Sequence, residues 1–73
     1  MVKEFEYKGF RFSIDVELRS KVTVLEVWHT VTVKCKDAKE YFKKSTVADK
    51  MLVKRVAECE KEAMRFVDKK MKV

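Results

Sequence analysis

Apolar and polar residues alternate along the first part of this chain with the period of a half-buried strand. Phe5 and Tyr7 alternate with Glu4 and Glu6, and Phe10, Phe12, Ile14, Val16 and Leu18 alternate with Arg11, Ser13, Asp15, Glu17 and Arg19. Lys8-Gly9 separates the two runs and has the composition of a two-residue hairpin loop. Closing it there pairs Tyr7 with Phe10 and Phe5 with Phe12 on one face, and Glu6 with Arg11 on the other. A third apolar-polar run reaches Cys35. If Ser20-Lys21 is a second tight turn, Arg19 pairs with Val22, and Val16, Ile14 and Phe10 face Leu25, Val27 and Val31. That register also opposes Asp15 to Glu26, and like charges across a ladder are destabilising. A longer second turn removes the conflict and is favoured. The third strand is expected to be an exposed edge, overhanging its neighbour from Val33 to Cys35.

The period then changes. Asp37 is placed to cap a short helix over Ala38 to Lys44, and Ser45-Thr46 to break it, with Thr46 and Asp49 spaced as a capping box for a second helix running to Lys72. At roughly 100° per residue, Ala48, Leu52, Val56, Cys59, Ala63, Phe66 and Val67 form one stripe, the face that lies on the sheet. A second apolar line, Val53, Ala57, Met64 and Met71, is displaced by about a quarter turn and resembles a heptad seam that a monomer does not require. Opposite the core stripe run Lys50, Lys54, Lys61, Arg65 and Lys72. The expected fold is therefore α+β: a three-stranded antiparallel meander followed by a short and a long C-terminal helix packed on one face, β-β-β-α, in a single domain covering 1–73.

Seventy-three residues give a core of marginal size, which together with the second apolar line predicts a homo-oligomer, a dimer. The composition, 47% hydrophobic and 41% charged, is that of a folded chain. No apolar run approaches a membrane span and the first residues lack the form of a signal peptide, so a cytoplasmic protein without a membrane partner is expected. The chain contains no Asn, Gln or Pro and a single Gly, with abundant Lys and Glu, a trend that points to a thermophilic host or a virus of one. The net charge of +6 is unevenly spread. Residues 1–33 carry five basic and five acidic side chains, whereas residues 34–73 carry thirteen basic and seven acidic. A function that uses the charge uses the second half.

Candidate chemistry is sparse. His29 is the sole histidine and reads as a core-edge residue with a hydrogen-bond partner, about 20 Å along the strand from Cys35 and so unable to share a dyad or metal site with it. Cys35 and Cys59 point inward and read as free, buried thiols. Their separation along the chain opposes a disulfide unless the chain doubles back near Ser45. Trp28 points away from the core and is a candidate stacking platform or partner hot spot. Glu58 and Asp68 are spaced to pair with the basic stripe. One glycine cannot build a phosphate loop, and no metal-ligand spacing or nucleophile elbow occurs, so neither catalysis nor a cofactor or metal is expected. Two function classes remain. The first is a nucleic-acid module, for DNA or RNA, using Lys50, Lys54, Lys61, Arg65 and Lys72. The second is a protein-interaction module, an inhibitor or adaptor of viral or mobile-element type, using Trp28 or the second seam.

Overall fold

A computed structural model describes residues 2–20 and 27–72. Four strands, β1 (Val2–Tyr7), β2 (Phe10–Ser20), β3 (Val27–Cys35) and β4 (Phe42–Ala48), form one antiparallel sheet in the order β1-β2-β3-β4. A 3₁₀ turn at Asp49–Met51 leads into one helix, α1 (Leu52–Met71). The class is α+β as expected, with four strands and one helix in place of three strands and two helices.

The first hairpin has the expected register: Tyr7 pairs with Phe10, Phe5 with Phe12 and Glu6 with Arg11. Lys8 (φ 49°) and Gly9 (φ 86°) are both left-handed, the backbone of a type I′ turn, whose twist matches that of the flanking strands. The Phe5 and Phe12 rings stack with centroids 5.1 Å apart.

The second hairpin is longer than a two-residue turn. Ser20 pairs with Val27, Arg19 with Trp28, Val16 with Val31 and Ile14 with Val33. Asp15 therefore faces Thr32, and the like-charge conflict of the tight register does not arise. The shift relative to the tight register is an even number of residues, so every side chain keeps its face. Lys21, Val22, Leu25 and Glu26 lie outside the described residues.

The segment read as a short helix is a strand. Ala38 accepts the Tyr41 N–H in a tight turn (3.0 Å), and β4 then pairs along β3 from Lys34–Phe42 to Trp28–Ala48. Strand β3 is thus interior, its Val33 lies opposite Lys43, and the open edges are β1 and β4. The physical reason is that the backbone donors and acceptors on the far side of β3 need partners. Tyr41, Phe42, Thr46 and Val47 supply β-forming side chains once that template exists. Asp37 caps no helix: its carboxylate accepts the Arg11 N–H (2.8 Å), Nε (3.2 Å) and Nη2 (3.0 Å). Nor does Ser45-Thr46 break or kink a helix, since both lie within β4, and α1 starts without a side-chain cap at Met51.

The helix covers the inner face of the sheet. Phe12, Ile14 and Val16 of β2, Val31, Val33 and Cys35 of β3, Ala38 and Tyr41 of the connection, and Cys59, Ala63 and Val67 of α1 form the buried core, with Leu52, Val56 and Phe66 packed against it. The expected helical stripe is reproduced except for Ala48, which ends β4. Leu18 (67% exposed) shares the inner face but lies past the cover of the helix, because the chain leaves the sheet at Asp49, beside His29.

Candidate functional site

The basic residues do not form one continuous helical stripe. Lys50 lies in the 3₁₀ turn, and Lys72 ends α1 with an extended backbone (φ −81°, ψ 106°), so Lys54, Lys61 and Arg65 alone stand on the solvent face of α1. All five are exposed. Their electrostatic setting is also different from the ion-paired face that the i,i+3 and i,i+4 spacing suggests. Glu58 and Glu62 accept Nη1 of Arg55 (3.2 and 3.5 Å), Glu60 pairs with Lys3 of β1, and Asp68 accepts Lys8 Nζ (2.7 Å) and the Tyr7 hydroxyl (3.0 Å). The Lys8 ammonium and then the Tyr7 hydroxyl hold the Asp68 carboxyl below its ordinary value. Every carboxylate of α1 is thereby engaged away from the stripe. Among the described residues, Lys54, Lys61 and Arg65 have no ion-pair partner, and their charge is directed at solvent.

The second seam is largely uncovered. Val53 is 83% and Met71 53% exposed, Ala57 is exposed and Met64 half-buried. These residues flank Glu60, which holds Lys3, so the seam faces the open β1 edge of the sheet.

Trp28 is on the outer face, 38% exposed, as its parity requires. The longer turn sets its neighbours: it lies between Arg19 and Ala48. The outer face itself is divided. Glu4, Glu6, Asp15 and Glu17 occupy the β1 and β2 side, while Lys34, Lys36 and Lys44 occupy the other. Strand β4, unseen in the sequence pattern, adds Lys44 to this basic side next to Lys34 of β3.

His29 is a core-edge residue with its ring nitrogen Nε2 2.7 Å from Asp49 Oδ1, joining β3 to the start of the helical segment. Cys35 and Cys59 are free and buried, as expected, although the reason differs. The chain does double back, through β4, and brings both thiols into one core beside Tyr41. Burial pushes the Cys59 thiol up, which disfavours the thiolate. No group of three or more His, Cys, Asp or Glu side chains suited to a metal ion occurs among the described residues. No helix among them is long and apolar enough to cross a membrane.

One surface escaped the pattern reading. A groove of about 530 Å³ runs between the start of β4 and the C-terminal half of α1, with Tyr41, Phe42 and Phe66 beside Lys43, Arg65 and Lys69. Reading Ala38 to Lys44 as a helix hid it, because the groove exists only once Phe42 and Lys43 are on an edge strand. The adjacent aromatics Tyr41-Phe42 followed by Thr46-Val47 are the signal that would have exposed the strand. No family model matches the chain, and no characterised protein or solved structure matches it either, so its chemistry rests on the geometry of these surfaces.

Proposed function

We propose that this chain is a small non-catalytic binding module whose basic helical face contacts nucleic acid without strong sequence specificity. The observation that carries the reading is the electrostatic partition of α1: its four carboxylates are engaged by Arg55, Lys3, Lys8 and Tyr7, while Lys54, Lys61 and Arg65 are left exposed and unpaired among the described residues. A face built for solvation alone would be expected to use those carboxylates to neutralise it. Lys50 and Lys72 extend the positive surface beyond both ends of the helix. Discrimination between sequences is expected to be poor, because the chain has no Asn or Gln for the bidentate adenine contact.

The test is binding to duplex and single-stranded oligonucleotides over a salt series. Each neutralised duplex phosphate contributes about −0.9 to the logarithmic salt slope, so a few contacts give clear binding at low salt that fades toward physiological salt. Lys54→Glu, Lys61→Glu and Arg65→Glu together remove it and leave the fold intact. Absence of binding to any nucleic acid at low salt ends this reading.

A second reading, a protein-interaction module, is favoured by the exposure of Val53 and Met71. Covered by a second copy, the seam gives a homodimer that presents two basic faces; covered by another protein, it makes the chain an inhibitor or adaptor. Light scattering on the wild type and Met64→Lys separates these, with a dimer that dissociates in the variant supporting self-association. In the protein-partner case, Trp28→Ala or Met64→Lys abolishes binding and the lysine reversals do not.

A further inference from the structure

We propose that the outer face of the sheet, the one turned away from α1, is a self-complementary interface for a second copy of this chain, in which the acidic β1–β2 half of each copy lies over the basic β3–β4 half of the other. This goes beyond the nucleic-acid reading and does not depend on it. Among the described residues nothing covers this face, and three exposed apolar side chains stand on it: Val2 (60% exposed), Phe42 (54%) and Trp28 (38%). On a face built only for solvation, opposite charges neutralise one another across the strands. Here they are segregated. In the middle of the sheet Ser13 faces Lys34, Asp15 faces Thr32 and Glu17 faces Thr30, so no charge of β2 meets its opposite across the β2–β3 ladder there. Asp15, Glu17, Lys34 and Lys44 have no ion-pair partner among the described residues. Lys34 Nζ rests instead 5.8 Å from the centroid of the Phe42 ring.

A twofold interface joins a patch to itself, so the patch must be its own complement. Two such faces can be stacked by a twofold axis running across the strands or along them. An axis across the strands lays each strand on its own copy, acid on acid and base on base. An axis along the strands, between β2 and β3, lays β1 on β4 and β2 on β3 of the second copy and keeps each row level. The row Val2, Asp15, Thr32, Lys44 then meets itself reversed, and so does the row Glu4, Ser13, Lys34, Phe42. Asp15 comes to lie over Thr32 of the second copy with Lys34 one row away, and Glu4 over Phe42 with Lys44 one row away. Stacked sheets are about 10 Å apart, a gap that a lysine stem and a carboxylate span together. The charges therefore select this axis, with Asp15 to Lys34 and Glu4 to Lys44 as its pairs.

Shape and area set the strength. The middle of the face carries the small residues Ser13, Thr30 and Thr32, and the face is a shallow dish of about 430 Å³ with Val2 and Phe42 at its edges. Two copies meet along those edges and hold hydroxyls and water between them. Four strands spaced about 4.8 Å apart and about seven residues long cover about 450 Å² per copy, a total of about 900 Å², below the range of stable complexes. The dimer is weak and salt-sensitive as a result, and both α1 helices stay on its outside.

The experiment is sedimentation equilibrium at low salt over protein concentrations from about 10 μM to about 1 mM, the span of weak complexes. The wild type is expected to dimerise and to dissociate as salt rises. Asp15→Lys alone and Lys34→Glu alone each sediment as monomers, because each sets like charges against one another. An equimolar mixture of the two variants restores the dimer, since Asp15 of one chain meets Lys34 of the other and the two introduced charges also oppose. No loss of folding produces that rescue. Met64→Lys leaves the dimer intact. Wild-type protein that stays monomeric over the whole range overturns the proposal, and so does a mixture that stays monomeric. A dimer lost in Met64→Lys and kept in both charge variants overturns it too and assigns self-association to the helix seam. No oligonucleotide enters the experiment, so its failure leaves the helical-face reading standing.

Discussion

Asp37 receives both the backbone N–H and the guanidinium of Arg11, at 2.8 to 3.2 Å, and so ties the β3–β4 connection to the start of β2. The return bond, Lys36 N–H to the Arg11 carbonyl at 2.9 Å, closes the clamp. It sets where β3 ends and where the chain turns toward β4, which in turn places Tyr41 and Lys43 on the α1 side of the sheet and Phe42 on the outer face beside Lys34.

Acid should unfold this protein through its carboxylate clamps. The Arg11 guanidinium and backbone N–H lower the Asp37 carboxyl, Lys70 lowers Glu40, and Lys8 with Tyr7 lowers Asp68. Because each native value is depressed, the stabilisation is present above the ordinary carboxylate range and is lost as pH falls through the native values. The expected melting temperature is flat from neutral pH to about 5 and falls below it. All three groups are exposed, so the fall is shallower at high salt. Asp37→Asn flattens it further, and a variant whose acid limb is as steep as the wild type counts against the clamp.

Gly9→Ala should destabilise the first hairpin. Nothing lies within 4 Å of the position a methyl group would occupy, so the cost comes from the backbone alone, at φ 86°. A side chain there costs about 1–2 kcal/mol. Urea unfolding measures it, and an unchanged midpoint means the turn relaxes to another form.

Ala63 and Tyr41 test the core from opposite directions. Ala63 is fully buried where α1 crosses the sheet, and Ala63→Leu overfills the contact at a cost of about 1–3 kcal/mol. Tyr41 is 6% exposed and its hydroxyl has no hydrogen-bond partner among the described residues. Removing a buried, unsatisfied polar atom relieves its desolvation cost, so Tyr41→Phe is expected to stabilise the fold by about 1 kcal/mol. Loss of stability in Tyr41→Phe would show that the hydroxyl has found a partner.

Both thiols should react slowly with a thiol reagent in the native state, and at the unfolding-limited rate in denaturant. Cys35 is 5% and Cys59 1% exposed, and burial raises the Cys59 thiol. The melting temperature is expected to be independent of reductant, since neither cysteine is bonded.

The first hairpin and the helix were legible in the sequence because their information is local. Alternation around Lys8-Gly9 specifies one register, since a slip of one residue would turn Phe5, Tyr7, Phe10 and Phe12 outward. The stripe Leu52, Val56, Cys59, Ala63, Phe66 and Val67 follows from helical periodicity alone. The inward direction of Cys35 and of His29 followed from strand parity and that of Cys59 from the helical stripe, whereas the cysteines stay free although the chain doubles back. What only the tertiary structure decided are features set by distant partners. The stretch from Ala38 to Lys44 has helix-forming composition, yet Phe42 onward becomes a strand because the unpaired edge of β3 is beside it, and pairing there outweighs local propensity. The same contest decided the charge pattern: Glu58 and Asp68 are spaced to neutralise Lys54, Lys61 and Arg65, but Arg55 takes the first and the hairpin residues Lys8 and Tyr7 take the second. Lys8 lies sixty residues from Asp68 in sequence, and no periodicity reports a contact of that range.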